Sequence, residues 1–154
     1  MPAFRICSTW NILKPKKMNK NFFFENIKEF SFDENVFTKI EALIFNENKK
    51  EGELSFVFCS DAYLLKMNID YLKHDFYTDV ITFDYTEGDI ISGDVFISIE
   101  RIKENAEKYN VSFENELQRV MIHGVLHLVG YKDKTEEELK QMRKKENEYL
   151  NVPG

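Results

Sequence analysis

Hydrophobic and polar positions repeat with two different periods along the 154-residue chain, and the changes of period predict its elements. Residues 22–27 (FFFENI) form a short aromatic run of strand type. From 33 to 48, Val36, Phe37, Ile40, Leu43 and Ile44 recur at helical spacing, with Asp33 as the expected N-cap and Glu51-Gly52 as the break. Leu54, Phe56 and Phe58 then alternate with Glu53, Ser55 and Val57 over 53–59, which predicts a strand with one well-buried face. Ser60 is placed to cap a helix running to about Leu72. Two β-branched, aromatic runs, 79–85 and 93–98, flank a connection from Glu87 to Gly93 and predict a pair of strands. Ser98 starts a helix whose apolar stripe holds Ile99, Ile102, Ala106 and Tyr109. Two further helices are expected, about Ser112 to Leu128 and Thr135 to Leu150. Thr135 and Glu138 form a capping box for the last one, and Leu139, Met142, Glu146 and Tyr149 mark its repeating face. The sum is about four strands interleaved with four or five helices, a single α/β or α+β layered domain without repeats or linkers. Met18 precedes the first strand-like segment, so residues 1–17 read as an extension and 18–154 as the domain.

Composition narrows the class. With 43% hydrophobic and 31% charged residues, only 6 Gly and 3 Pro, the chain is too apolar for disorder and too varied for a fibre. Its 21 Lys and Arg against 27 Asp and Glu leave a net charge of −6, which excludes a protein that coats nucleic acid or an anionic membrane by bulk charge. Positive charge is local: Lys132 and Lys134 around Asp133, then Lys140, Arg143, Lys144 and Lys145. The two cysteines, Cys7 and Cys59, are far apart, so neither a disulfide framework nor a cysteine zinc site is expected, and Cys59 reads as a buried thiol. No apolar run reaches membrane-spanning length and the N-terminal stretch lacks the pattern of a signal peptide, so the expected location is the cytoplasm.

The candidate chemistry lies on the 112–128 helix. Of three histidines, His74, His123 and His127, the last two stand four apart, about 40° round a helix, so their imidazoles project from one face one turn apart. Gly130 ends the helix and the next carboxylate is Asp133. His-x3-His followed by this Asp is an N, N, O set of the kind zinc accepts, with a position left open for the water a hydrolase needs. Surface or core histidines beside a solvated turn aspartate are the plain alternative. A peptidase of the His-Glu-x-x-His type is disfavoured, because Gly124 stands where its general base would be. Glu116, seven residues before His123, shares its face, either orienting a ligand or water or serving as a first-turn helix charge.

HGVLHLVGYKD, together with MNIDYLKHDFYTDVITF and SGDVFIS upstream, resembles the YbeY family of bacterial endoribonucleases that mature ribosomal RNA, over about residues 22–150. The resemblance implies a mixed sheet of about four strands with the metal helix across it, and a cleft between that helix and the loop around 71–79. It implies hydrolysis of a phosphodiester in single-stranded RNA, in small-subunit ribosomal RNA maturation and ribosome quality control. Ribosomal particles and assembly proteins are the implied partners. In the family three histidines hold one metal ion, usually taken to be zinc; His123 and His127 match two of them, and the third falls on Asp133. A family arginine held to contact substrate phosphate is replaced by Leu72, with Lys73 or His74 beside it as substitutes. Asp75, Thr78 and Asp79 match the family block. The candidate set is therefore metal on His123, His127 and Asp133; catalysis from Glu116, Lys73 or His74; and substrate contacts from Lys73, Asp75, Thr78 and Lys132. A metal-stabilised ribosome-assembly factor without catalysis is the rival reading, and a zinc metallopeptidase a weaker one.

Overall fold

The structure, a computed structural model, describes residues 20–153. Cys7 and the expected extension 1–17 lie outside the described residues. Among the described residues, four strands and five helices follow one another as β1 (Lys20–Glu25), α1 (Val36–Asn46), β2 (Lys50–Cys59), α2 (Asp61–Leu72), β3 (Val80–Asp84), β4 (Ile90–Ser98), α3 (Ile99–Lys108), α4 (Phe113–Val129) and α5 (Glu136–Leu150). The sheet order is β1-β2-β4-β3. β1, β2 and β4 run parallel, and β3 is antiparallel to β4 at the edge, so the sheet is mixed and the fold is α+β.

Helices cover both faces. Leu54, Phe56 and Phe58 of β2 join Val95 and Ile97 of β4 in one core, packed by apolar residues of α1, α3, α4 and α5. Val57 and Cys59 join Phe96, Ile81 and Phe83 in a second core, covered by Leu64 and Met67 of α2. The expectation of one buried face for β2 is therefore corrected: as an inner parallel strand it is buried on both, Ser55, Val57 and Cys59 included. The Cys59 thiol donates to the Ile97 carbonyl, and burial pushes its pKa up to about 12.

Several boundaries also move. α1 starts at Val36 after Asn35, while the Asp33 carboxylate accepts from the Asn35 N–H at 3.0 Å, outside the helix. α1 ends before Asn48, which has φ of 61°, and Glu51-Gly52 already belongs to β2 rather than breaking a helix. β4 begins at Ile90, so the connection expected from Glu87 to Gly93 shortens to residues 85–89 around Gly88. Tyr109 and Leu139, both expected on inward stripes, are exposed. Tyr109 caps α3 at its C-terminus, and Leu139 sits in the first turn of α5, at the helix end, where it lines a cavity instead of packing into the core.

α4 lies close on the sheet. A Cβ at Gly124 would stand 2.7 Å from Val95 Cγ1 of β4, so only glycine allows this approach. α1 and the segment just before it anchor the start of α4, with Lys39 donating to Gln118 Oε1 and the Asp33 N–H to Glu114 Oε1. The helix is thus held at both its first turns and its middle, and its half-buried histidine face is fixed relative to the sheet.

Candidate metal centre and its cavity

Ser112 caps α4 by accepting from the Asn115 N–H, and Gly130, with φ of 124°, closes it. The Tyr131 N–H bonds back to the Leu126 carbonyl at 3.0 Å, so the chain reverses within one residue of the helix end. Four residues further on, Thr135 caps α5, and both halves of the expected capping box with Glu138 are formed. These two fixed ends leave four residues, 131–134, between them, and Asp133 is carried back over the last turn of α4.

The result is a triangle of three donor atoms. His127 Nε2 lies 3.0 Å from His123 Nε2 and 3.1 Å from Asp133 Oδ2, and His123 Nε2 lies 3.2 Å from the same oxygen. The other nitrogen of each ring is committed. His123 Nδ1 is 2.7 Å from Glu146 Oε2, and His127 Nδ1 is 3.0 Å from the Tyr131 carbonyl. Carbonyl and carboxylate oxygens only accept, so both Nδ1 atoms donate and, in neutral rings, both Nε2 atoms present lone pairs. Two nitrogen lone pairs and a carboxylate oxygen facing each other repel unless a cation lies between them. Donors around a tetrahedral zinc at about 2.1 Å stand roughly 3.4 Å apart. The observed triangle is slightly tighter than that, and the group fits a metal ion.

Glu146 is a residue that sequence reasoning placed only on a helix face. Its carboxylate is buried, with one oxygen on His123 and the other accepting from Arg119 Nη1 at 3.0 Å. Burial pushes the Glu146 pKa up, but the His123 and Arg119 bonds outweigh it and hold the group below its ordinary value. His123 moves the opposite way: burial pulls its pKa down, and the Glu146 bond and charge, with Asp133 nearby, raise it overall. The ring therefore favours positive charge at Nε2, which either a proton or a metal ion supplies.

A cavity of about 260 Å³ opens against His123 and Asp133, walled further by Asp79, Glu116, Arg119 and Arg143. Glu116 is buried, and burial raises its pKa against the opposing pull of Arg119, whose Nε is 3.9 Å away. The loop from 71 to 79 contributes Asp79 alone to this wall. Lys73 closes α2 in a left-handed conformation, His74 stacks on Phe76 at 5.2 Å, and Thr78 Oγ1 bonds the Val80 carbonyl. Neither these residues nor Asp75 line the cavity, and Lys132 lines a separate one with Glu47 and Tyr131. Lys145, expected among the free basic groups, is instead drawn inward by Glu47 at 3.1 Å. Glu47 also accepts from the Tyr131 and Tyr149 hydroxyls, which fastens the residue whose carbonyl orients His127.

Comparison with known proteins agrees with this geometry. The family model described as Endoribonuclease YbeY matches residues 18–153. The Endoribonuclease YbeY of Flavobacterium johnsoniae is 53% identical over 132 residues, covering 84% of this chain and 94% of that one. That of Christiangramia forsetii is 51% identical over 130 residues, covering 84% and 91%. Among solved structures, the solution structure of TM1509 from Thermotoga maritima is similar, with TM-score 0.62 and 29% identity over 84% of this chain and 86% of that one.

Proposed function

The chain belongs to the YbeY family of endoribonucleases, and from that premise we propose that it cuts single-stranded RNA with the help of one divalent ion, zinc, held by His123, His127 and Asp133. The substrate is small-subunit ribosomal RNA, met in the cytoplasm on ribosomal or assembly particles. Among the described residues no helix is long and apolar enough to cross a membrane. The single observation behind the metal reading is the convergence of three lone-pair donors within 3.2 Å, with each imidazole fixed through its far nitrogen.

When bound, the ion supplies Lewis-acid stabilisation of phosphate charge and makes water acidic enough to act near neutral pH. The chain's own residues do the rest. Glu146 and the Tyr131 carbonyl hold the two rings in the tautomer that presents Nε2. Glu116, buried with a raised pKa and walling the same cavity, is the group placed to take and return a proton. Lys73, His74, Asp75 and Thr78, on the loop that ends at Asp79, belong in this proposal to the path of the RNA beyond the cavity, and Lys132 to its other side.

Elemental analysis beside a cleavage assay tests this. The isolated protein is expected to carry about one divalent ion per chain, to lose cleavage of an unpaired ribosomal RNA fragment on chelation, and to regain it with zinc. His123→Ala should lose the ion and at least on the order of 100-fold of the cleavage rate. Wild-type cleavage by a folded His123→Ala protein would refute the assignment.

A further inference from the structure

The two side chains that depart most from the helical pattern meet at one place. Tyr109 and Leu139 fall on apolar stripes in the sequence, yet they are 58% and 51% exposed, and both wall the cavity at His123 and Asp133. They come from different helices, the C-terminal end of α3 and the first turn of α5, and they leave apolar surface facing a cavity whose other walls are mostly charged. Arg143 joins them from the next turn of α5. Its side chain is 62% exposed, and its only ion-pair partner among the described residues is Glu146, at a loose 3.6 Å. An aromatic ring, an aliphatic side chain and a weakly engaged guanidinium thus border the same space as two of the metal donors.

We propose that Tyr109, Leu139 and Arg143 form a nucleotide subsite beside the metal centre. Tyr109 and Leu139 receive the faces of one unpaired base, and Arg143 takes a phosphate next to that base. This deepens the endoribonuclease reading and rests on it. The chemistry selects the ligand. A phosphate matches the guanidinium, a flat apolar ring system matches a tyrosine face, and the two occur together in a nucleotide. Lys108 Nζ lies over one face of the Tyr109 ring, 5.5 Å from its centroid, where it adds positive charge and leaves the opposite face to the base. Base faces in a duplex are covered by their neighbours, so only a strand with a free or splayed base can enter, and the subsite selects for single strands.

The test is equilibrium binding to the zinc-loaded full chain, using a short oligoribonucleotide checked by gel to stay intact over the measurement and carrying one 2-aminopurine whose emission falls on stacking. Tyr109→Ala is expected to weaken binding about tenfold and to abolish the quench, whereas Tyr109→Phe stays within about threefold of wild type because the ring supplies the face. Leu139→Asn weakens binding about threefold. Arg143→Ala weakens it and lowers the slope of log K against log salt by about 0.7, one phosphate's worth on a single strand, while Tyr109→Ala leaves that slope unchanged. Phe45→Ala, a 79% exposed aromatic away from the cavity, is the control that changes nothing. The subsite is wrong if Tyr109→Ala and Leu139→Asn bind and quench as wild type does while wild type cleaves RNA. If wild type neither binds nor cleaves unpaired RNA, the endoribonuclease reading itself fails and the subsite with it. All substituted positions are exposed, and unchanged thermal midpoints separate lost binding from lost folding; should Tyr109→Ala unfold, Leu139→Asn and Arg143→Ala decide the matter.

Discussion

At the scale of single residues, Glu146 carries more than its place on a helix suggests. One buried carboxylate fixes a candidate ligand through Nδ1 and neutralises Arg119, which also donates to Asn147. Glu146→Ala should therefore do two things. It leaves Arg119 without its main partner and a buried cavity where the carboxylate was, for a loss of about 2–4 kcal/mol in urea unfolding. It also frees the His123 ring to turn, for a 10- to 100-fold loss of zinc affinity in chelator competition, roughly what an orienting partner contributes. Glu146→Gln, whose amide oxygen still accepts from Nδ1, should recover most of the affinity but less of the stability. Reduced stability with unchanged zinc affinity in the alanine variant would show that Glu146 only braces the helices. The donor set itself was legible, because His-x3-His and a carboxylate after a helix-ending glycine are local spacings. Glu146 and Arg119 were not: they lie 23 residues after and four before His123, and the contact between them depends on how α5 crosses α4. Tyr109 and Leu139 were misplaced for a related reason. Helical periodicity shows which side of a helix is apolar, but a residue at a helix end can face a cavity instead of the core.

Between elements, the close approach of α4 to the sheet sets where the histidines stand. Gly124 lies one residue from His123 and faces Val95, with Thr82 Cγ2 3.5 Å from where a Cβ would be. Gly124→Ala has two opposing consequences. Alanine favours the helix by about 1 kcal/mol, and the overlap with a buried β-branched side chain costs about 1–3 kcal/mol, with more expected if α4 must lift from β4. The overlap at 2.7 Å should win, giving a net loss of about 1–2 kcal/mol in denaturant unfolding. Val95→Ala, destabilising alone, should relieve it, so that the double variant is more stable than the two single losses added together. Strict additivity would mean that the helix shifts freely and that glycine is not required. The same crowding gives a structural reason why a glutamate of the peptidase pattern has no room at 124. Element identity was largely readable from period and caps: Ser60, Ser98, Ser112 and Thr135 all cap as their sequence contexts predict. What period alone missed was parallel pairing. The alternation of Leu54, Phe56 and Phe58 with Glu53 and Ser55 looks like a strand with one wet face, but β2 lies between β1 and β4 with helices on both sides, so Ser55 is buried too.

For the whole molecule, a net charge of −6 has to be reconciled with a polyanionic substrate. The structure makes the available cations fewer than the sequence offers: Lys145 is spent on Glu47, Arg101 on Asp61, and Arg119 largely on Glu146. Around the cavity, Asp79, Glu116, Asp133 and Glu146 face Arg119 and Arg143, so without a metal ion the site has more carboxylates than guanidinium groups. A divalent ion held by His123, His127 and Asp133 would offset that excess where the phosphate must come. Two consequences separate this molecule from one with a basic RNA track. First, removing the ion should weaken binding of a short unpaired oligoribonucleotide by at least about tenfold, even where no cleavage occurs. Second, with one or two phosphates met by protein cations, log K should fall with log salt at a slope of only about −0.7 to −1.4. Fluorescence anisotropy from low to high salt, with and without chelator, measures both. A slope of roughly −4 or steeper, or metal-independent affinity, would instead place the RNA on an extended cationic surface. A shallow slope has a physical corollary. With little long-range attraction, and bulk charge repelling RNA at low ionic strength, encounter with free RNA is expected to be slow, so a larger particle that held the unpaired strand close would speed cleavage.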